Sequence, residues 1–323
     1  MAMTKPKILV TRKIPQTFID QLETIGEVKM WDKTYEAMLR DQFLEEVKDA
    51  AACFITLSEQ IDEEVYETAT QLKVVANMAV GYDNIDVEGA QTHDIVITNT
   101  PDVLTETTAE LGVTLMLTVA RRIVESEHYV QDGKWQSWGP YLFAGKDLHH
   151  SRVGIFGMGD IGRGVARRLQ GFNTSIMYHN RSRHLESEQT YGTLYVTFET
   201  LLKESDFIIC TAPLTNETRH KFNREAFSMM KSDAIFINIG RGAVVDEEAL
   251  IEAIDQQQIA GCGLDVLQEE PIAMDHPLLK YPNIVITPHI GSASVETRNR
   301  MIQLCVDNIE AVLSDNEPLT PVK

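Results

Sequence analysis

Apolar residues along the chain gather into short runs separated by longer amphipathic stretches. "KILVT" (7–11), "ACFITL" (52–57), "VVANMAV" (74–80) and "IVITNT" (95–100) are continuous and rich in β-branched residues, and stretches such as "PQTFIDQLETIG" with helical spacing lie between them. Strand-length apolar runs alternating with helices predict a parallel sheet covered on both faces. From Thr105 to Val130 the pattern reads as one long helix, with Glu106 and Glu110 near its amino end, where the helix dipole favours acids. A second series begins at Val153: "VGIFG" (153–157), "SIMYH" (175–179), "DFIICTAP" (206–213), "DAIFINIG" (233–240), "GCGLDV" (261–266) and "NIVITPH" (283–289). A last helix, "SVETRNRMIQLCVDNIEAVL", follows Gly291 and is expected to cross back to the first series.

The predicted fold class is therefore α/β, with two doubly wound parallel-sheet domains. A Rossmann cofactor domain is expected over 102–291, and a discontinuous flavodoxin-like substrate domain over 1–101 and 292–323. A length of 323 residues suits two such domains better than a single core.

Composition narrows the function. A net charge of −19 argues against nucleic acid or an anionic membrane as partner, since both select basic surfaces. The amino-terminal segment has no apolar stretch of signal-peptide type, and the chain is expected to be cytoplasmic. Cys53, Cys210, Cys262 and Cys305 are scattered through apolar stretches, which predicts buried thiols and no metal site.

The second series opens with "VGIFGMGDIGRG", where Gly157, Gly159 and Gly162 follow a strand and open a helix; Asp160 and Ile161 complete the loop. This context predicts a dinucleotide site, with pyrophosphate at the helix amino terminus. In NAD-binding versions of such a unit an acid about 20 residues on grips the ribose hydroxyls. Here, 18 residues after Gly162, stands Asn180, followed by Arg181, Ser182 and Arg183. Asparagine removes a charge that would repel a 2′-phosphate, and the two guanidiniums and the hydroxyl can donate to one. NADP(H) is thus the expected cofactor, with NAD(H) possible.

Ligands of open α/β sheets bind at the carboxyl ends of strands. The polar positions there are the Ala212-Pro213 turn, Arg241 after Gly240, Asp265 and His289. Arg241 can hold a carboxylate bidentately and polarise a carbonyl. His289 can pass a proton near neutral pH, with Glu270 as the group that steadies its ring. Taken singly, each has an ordinary structural explanation; their common place beside a dinucleotide loop points to catalysis.

With these stretches assembled, the chain resembles the D-isomer-specific 2-hydroxyacid dehydrogenases, most nearly the glyoxylate/hydroxypyruvate reductase branch. "VGIFGMGDIG", "NIGRGAVVDEEAL", "GLDVLQEEP", "VITPHIGSAS", "VGYDNID" and "TPDVLTETTAELGVTLML" carry the resemblance over essentially the whole length. Arg241 precedes Glu270 by 29 positions and His289 by 48, as in that family. The resemblance implies Arg241, Glu270 and His289 as the catalytic set, the backbone of Val80 and Gly81 on the substrate carboxylate, and Pro213, Ile239, Asp265 and Gly291 along the cofactor. It implies a small 2-oxo acid as substrate and a homodimer held by "GKWQSWGPYLF", whose Trp138 limits substrate size in a partner's site. Asp160 departs from the many relatives with arginine there, which shifts weight onto Arg181 and Arg183. A larger 2-keto sugar acid such as 2-ketogluconate is the alternative substrate, and a nicotinamide-sensing corepressor-like binding protein the alternative of another class.

Overall fold

The computed structural model describes residues 5–322, which divide into two compact units, one formed by the chain up to Leu104 with Ala293 onward, the other by Thr105–Ser292. In the first unit, β1 (Lys7–Val10), β2 (Glu27–Met30), β3 (Ala50–Ile55), β4 (Val74–Asn77) and β5 (Val96–Thr98) form a sheet of order β2-β1-β3-β4-β5. Every pairing is parallel. Side-chain alternation sorts the strands onto two cores. Leu9, Cys53, Ile55, Val75 and Ile97 face one, while Ile8, Val10, Phe54, Val74 and Ala76 face the other. The second core is closed by the helix Val295–Leu313, which contributes Ile302, Cys305, Val306 and Ile309 at helical spacing.

In the second unit, β6 (Arg152–Phe156), β7 (Ser175–His179), β8 (Leu194–Tyr195), β9 (Phe207–Cys210), β10 (Ile235–Asn238), β11 (Gly261–Leu264) and β12 (Ile284–Ile286) form a sheet of order β12-β11-β10-β9-β6-β7-β8. All its pairings are parallel as well. The order reverses between β6 and β9, where the carboxyl ends open a crevice. β9, β10 and β11 are buried throughout, which is why they read as apolar runs, with only Asn238 at the end of β10 polar. The expected α/β class, with two parallel-sheet domains, is what the chain adopts.

Two details differ from the sequence reading. β2 and β8 sit at sheet edges, are only partly buried, and carry too weak an apolar signal to be legible. The long helix expected from Thr105 to Val130 is two helices, Thr105–Ala120 and Ile123–Gln131. Arg122 between them is left-handed (φ 54°), and the amide of Lys146 takes the Ala120 carbonyl at 2.8 Å, the acceptor that the next helical turn needs. The four cysteines are free and buried; burial pushes the Cys210 thiol up to about 12 and the other three upward also. Among the described residues no helix is long and apolar enough to cross a membrane.

Candidate active site

The loop after β6 is shaped for an anion. Gly157 has φ 102°, and a Cβ there would lie 2.8 Å from the Ala212 amide nitrogen. A Cβ on Gly162 would come within 2.1 Å of the Gly157 carbonyl oxygen, so the helix Asp160–Leu169 packs against the turn only because that position is glycine. Gly159 is different: nothing lies within 4 Å of an added Cβ. The protein itself does not require glycine at that point, and the open space faces the helix amino end, where phosphate oxygens meet N–H groups and dipole. The loop thus fits the pyrophosphate of a nicotinamide dinucleotide. Across the crevice Ile239 is buried, with its amide on the Cys210 carbonyl, and Pro213 heads a turn closed by the Thr218 hydroxyl on its carbonyl.

Beyond β7 the turn 180–184 brings Asn180, Arg181, Ser182 and Arg183 to the same end of the sheet, but in unequal states. Arg181 and Ser182 are exposed, and among the described residues the Arg181 guanidinium has no partner. Arg183 is tied down: its Nε donates to Glu188 Oε1 at 3.0 Å and its Nη2 to Oε2. Glu188 also accepts from the buried Tyr178 hydroxyl at 2.7 Å. Arg183 first, and Tyr178 second, pull the Glu188 carboxyl down to about 2. Asp160, at the amino end of its helix, is covered by the Arg163 guanidinium, which donates also to His184 Nε2 at 2.8 Å.

Arg241, Glu270 and His289 leave the ends of β10, β11 and β12 and meet. His289 Nδ1 lies 2.8 Å from Glu270 Oε2, and Glu270 Oε1 accepts the Leu267 amide at 2.9 Å. Burial raises the Glu270 carboxyl; His289, the Leu267 amide and the Arg241 charge outweigh that and hold it below its ordinary value. With Nδ1 committed to the carboxylate, His289 presents Nε2 outward. Gly242 makes the approach of Arg241 possible, since a Cβ there would sit 1.8 Å from the Leu267 carbonyl oxygen.

Asp265 organises the histidine from beneath. Its buried carboxylate accepts the Thr287 hydroxyl at 2.6 Å and the amides of Ile290 and Gly291 at 2.8 Å each, while its carbonyl accepts the His289 amide at 3.0 Å. His289 itself is left-handed (φ 52°), a conformation that costs roughly 1–2 kcal/mol and persists only when surroundings over-determine it. Burial keeps the Asp265 carboxyl above its ordinary value despite three donors. Thr287, Gly242, Arg163, Tyr178, His184 and Glu188 were not singled out from sequence. Gly242 and Thr287 lie within quoted motifs, but the contribution of all six is a contact made only on folding.

In the first unit, Val80 and Gly81 lie on the turn after β4. Asn99 Nδ2 donates to the Val80 carbonyl and Asn77 Nδ2 to that of Gly81, each at 2.9 Å. In the second unit Trp138 is 80% exposed, on an arm that also bears Trp135 and Tyr141. A concavity of about 1080 Å³ in the first unit, lined among others by Lys7, Lys29, Asp49 and Lys73, opens at the amino ends of the strands. Lys7 pairs there with Asp49, and Lys29 with Glu46, so little net charge remains.

Residues 113–291 match the family model described as D-isomer specific 2-hydroxyacid dehydrogenase, NAD binding domain. A glyoxylate reductase of Pyrococcus furiosus is 46% identical over 322 residues, covering 98% of this chain and 95% of its own. A crystal structure of a Thermus thermophilus protein superposes with TM-score 0.92 at 42% identity, covering 98% of this chain and all of the other. The NADPH-dependent glyoxylate/hydroxypyruvate reductase of Sinorhizobium meliloti, in complex with NADP and malonate, gives 0.86 at 35% identity over 99% of this chain and 97% of its own. The chain belongs to the D-isomer specific 2-hydroxyacid dehydrogenase family of nicotinamide-dependent oxidoreductases, on the branch whose relatives carry the name glyoxylate reductase.

Proposed function

We propose that the protein reduces glyoxylate or hydroxypyruvate, small 2-oxo acids, to the D-2-hydroxy acid, with NADPH preferred and NADH possible. One observation carries the chemistry: His289 Nδ1 sits on a Glu270 carboxylate that Arg241 also faces, on the same sheet edge as the glycine loop. The bound nicotinamide supplies the hydride. Arg241 holds the substrate carboxylate and polarises the carbonyl that becomes an alkoxide. His289 gives its Nε2 proton to that oxygen, and Glu270, fixed by the Leu267 amide, keeps the ring in place and favours its charged form. In the first unit the Val80 and Gly81 amides, which donate to no acceptor among the described residues, are assigned to the substrate carboxylate.

The NADPH reading rests on Asn180 with Arg181, Ser182 and Arg183, and the NADPH-dependent name of the Sinorhizobium meliloti enzyme agrees with it. A homodimer in the cytoplasm is the proposed working form. The helix Ile123–Gln131 buries no residue, and the arm after it exposes Trp135, Trp138 and Tyr141, so a second copy is the natural cover. Trp138 would then limit substrate size in the partner's site.

The test is kcat/KM for glyoxylate, hydroxypyruvate and 2-ketogluconate, each with NADPH and NADH. Highest values for the two small acids with NADPH are expected. Turnover of 2-ketogluconate alone moves the substrate and keeps the chemistry; preference for NADH removes the 2′-phosphate reading.

A further inference from the structure

The first unit's sheet has a reversal of its own. In the order β2-β1-β3-β4-β5 the chain turns back between β1 and β3, and the carboxyl ends of those two strands open a crevice there. One charged side chain comes from each wall. Arg12 follows the end of β1, and Glu59 stands on the loop after β3. Arg12 Nη1 donates to Glu59 Oε1 at 3.0 Å, with 14% and 2% of the two side chains exposed. Glu59 is fixed on its other oxygen, where Oε2 accepts the Thr56 amide at 2.8 Å and the Thr56 hydroxyl at 3.0 Å. The pair is joined to the turn that carries Val80 and Gly81. Asn84 Nδ2 donates to the Glu59 carbonyl at 2.8 Å, and the Asn84 carbonyl accepts the Ile61 amide at 2.9 Å.

The Arg12 guanidinium has donors left over. Nη1 serves both Glu59 and, at 2.7 Å, the Thr11 carbonyl. Nε and Nη2 meet no acceptor among the described residues, yet neither belongs to the buried side-chain atoms that lack a partner. They therefore reach open space at the edge of the sheet. Of the six such orphaned buried atoms among the described residues, five stand at this same carboxyl edge: Thr11 Oγ1, Asn77 Oδ1, Asn84 Oδ1, Thr98 Oγ1 and Thr100 Oγ1. Buried polar atoms are seldom left without partners, so their concentration here marks an edge lined for polar ligand atoms. Neighbouring strands lie about 4.8 Å apart, which puts the ends of β1 and β4 about 10 Å from one another across β3. Arg12 already leans across β3 toward Glu59, and a short acid held at the end of β4 can meet it.

Charge decides what kind of group it meets. A second carboxylate on the ligand would face Glu59 as well as Arg12, and the two opposite charges cancel most of its attraction. A hydroxyl accepts from Nε or Nη2 and carries no charge for Glu59 to repel. We propose that Arg12, aligned by Glu59, is a specificity-determining residue that reads a hydroxyl on the third carbon of the 2-oxo acid. This role rests on the substrate carboxylate lying at Val80 and Gly81, as proposed above.

The test is kcat/KM for hydroxypyruvate, pyruvate, oxaloacetate and glyoxylate, measured with whichever reduced nicotinamide cofactor turns over faster. Hydroxypyruvate and pyruvate differ only in that hydroxyl. Wild type is expected to favour hydroxypyruvate over pyruvate by roughly tenfold to a hundredfold, the worth of a hydrogen bond to a charged donor, and to use oxaloacetate no better than pyruvate. Arg12→Lys keeps a positive charge beside Glu59 and removes the free edge of the guanidinium. Arg12→Met combined with Glu59→Gln removes both charges, so neither is left buried alone. Each variant should lose most of the preference for hydroxypyruvate over pyruvate, while glyoxylate, which has no third carbon, loses far less than hydroxypyruvate.

A wild type that reduces neither glyoxylate nor hydroxypyruvate would sink the functional reading itself. With that activity present, a wild type indifferent to the hydroxyl overturns the role of Arg12, as does oxaloacetate reduced as well as hydroxypyruvate. A folded variant that keeps the wild-type preference overturns it too. So does one in which all four acids fall by the same factor, the result that a purely structural ion pair gives. The double variant carries the comparison even where Arg12→Lys folds poorly, because it leaves no charge of this buried pair without its partner.

Discussion

Gly242 stands between the arginine and the carboxylate of the proposed chemistry, and one methyl group there tests whether their spacing sets the rate. A Cβ at this position would lie 1.8 Å from the Leu267 carbonyl oxygen, 1.9 Å from its carbon and 2.4 Å from the Gln268 nitrogen. All three are backbone atoms, so no rotamer relieves the contact. Reaching the 3.0 Å that real Cβ atoms keep requires the two segments to part by about 1.2 Å. One segment carries Arg241, and the other carries the Leu267 amide that holds Glu270. Overpacking of this kind costs about 1–3 kcal/mol. At roughly 2–4 °C per kcal/mol for a domain of this size, Gly242→Ala should lower Tm by about 2–12 °C. Misplacement of catalytic groups by about 1 Å costs on the order of a hundredfold in rate. The expected result at 25 °C, below the melting transition, is kcat/KM for glyoxylate reduction down about a hundredfold. NADPH affinity, read by quenching of tryptophan fluorescence, should stay within about threefold, because the glycine loop lies on other strands. A variant with lowered Tm and wild-type kcat/KM would refute the reasoning, as would a loss of cofactor affinity as large as the loss of turnover.

His289→Ala and Arg241→Ala should each cut turnover by roughly 10²- to 10⁴-fold, since the proposed mechanism places each group where charge or a proton moves in the transition state; near-native activity in either removes that mechanism. Glu188, drawn from its ordinary 4.5 to about 2, stabilises the fold above pH 4.5 and loses that contribution as pH falls toward 2. The Tm gap between wild type and Glu188→Gln should therefore be full near pH 6 and shrink below pH 4.5; a gap that is constant or widens on acidification contradicts the Arg183 pairing. If the proposed homodimer forms, wild type should sediment as a dimer and Trp135→Ser combined with Tyr141→Ser as a monomer; a monomeric wild type would remove the dimer proposal, and a variant that stays dimeric would place the interface elsewhere.

Much of the architecture was legible because its strands are buried on two faces. "FIIC" in β9 and "IFIN" in β10 contain no exposed position, so they read as apolar runs up to the buried Asn238 that ends β10. The edge strand "EVKM" in β2 pairs on one side only and keeps two exposed residues, which erases that signal. The helix break at Arg122 depends on an amide 24 residues later, a competition no local pattern reports. In the site, residue types revealed Arg241, Glu270 and His289 as candidates, because side chains doing chemistry must be particular side chains. The support was hidden. Asp265 acts on backbone amides of Ile290 and Gly291, which every residue except proline possesses. Arg183 and Glu188 pair across a helix start, where spacing alone does not bring side chains together.

The reversal of strand order between β6 and β9 also divides the second unit's work in space. The turn proposed to distinguish two cofactors hangs from β7, on one side of the reversal; the groups proposed to handle the proton and the carboxylate hang from β10, β11 and β12, on the other. Their substitutions share no neighbours, so their free-energy effects should sum. Mutation can then exchange the electron donor while the proton chemistry stays untouched, or retune the chemistry at constant donor. A lineage built on this layout can change its metabolic currency one turn at a time.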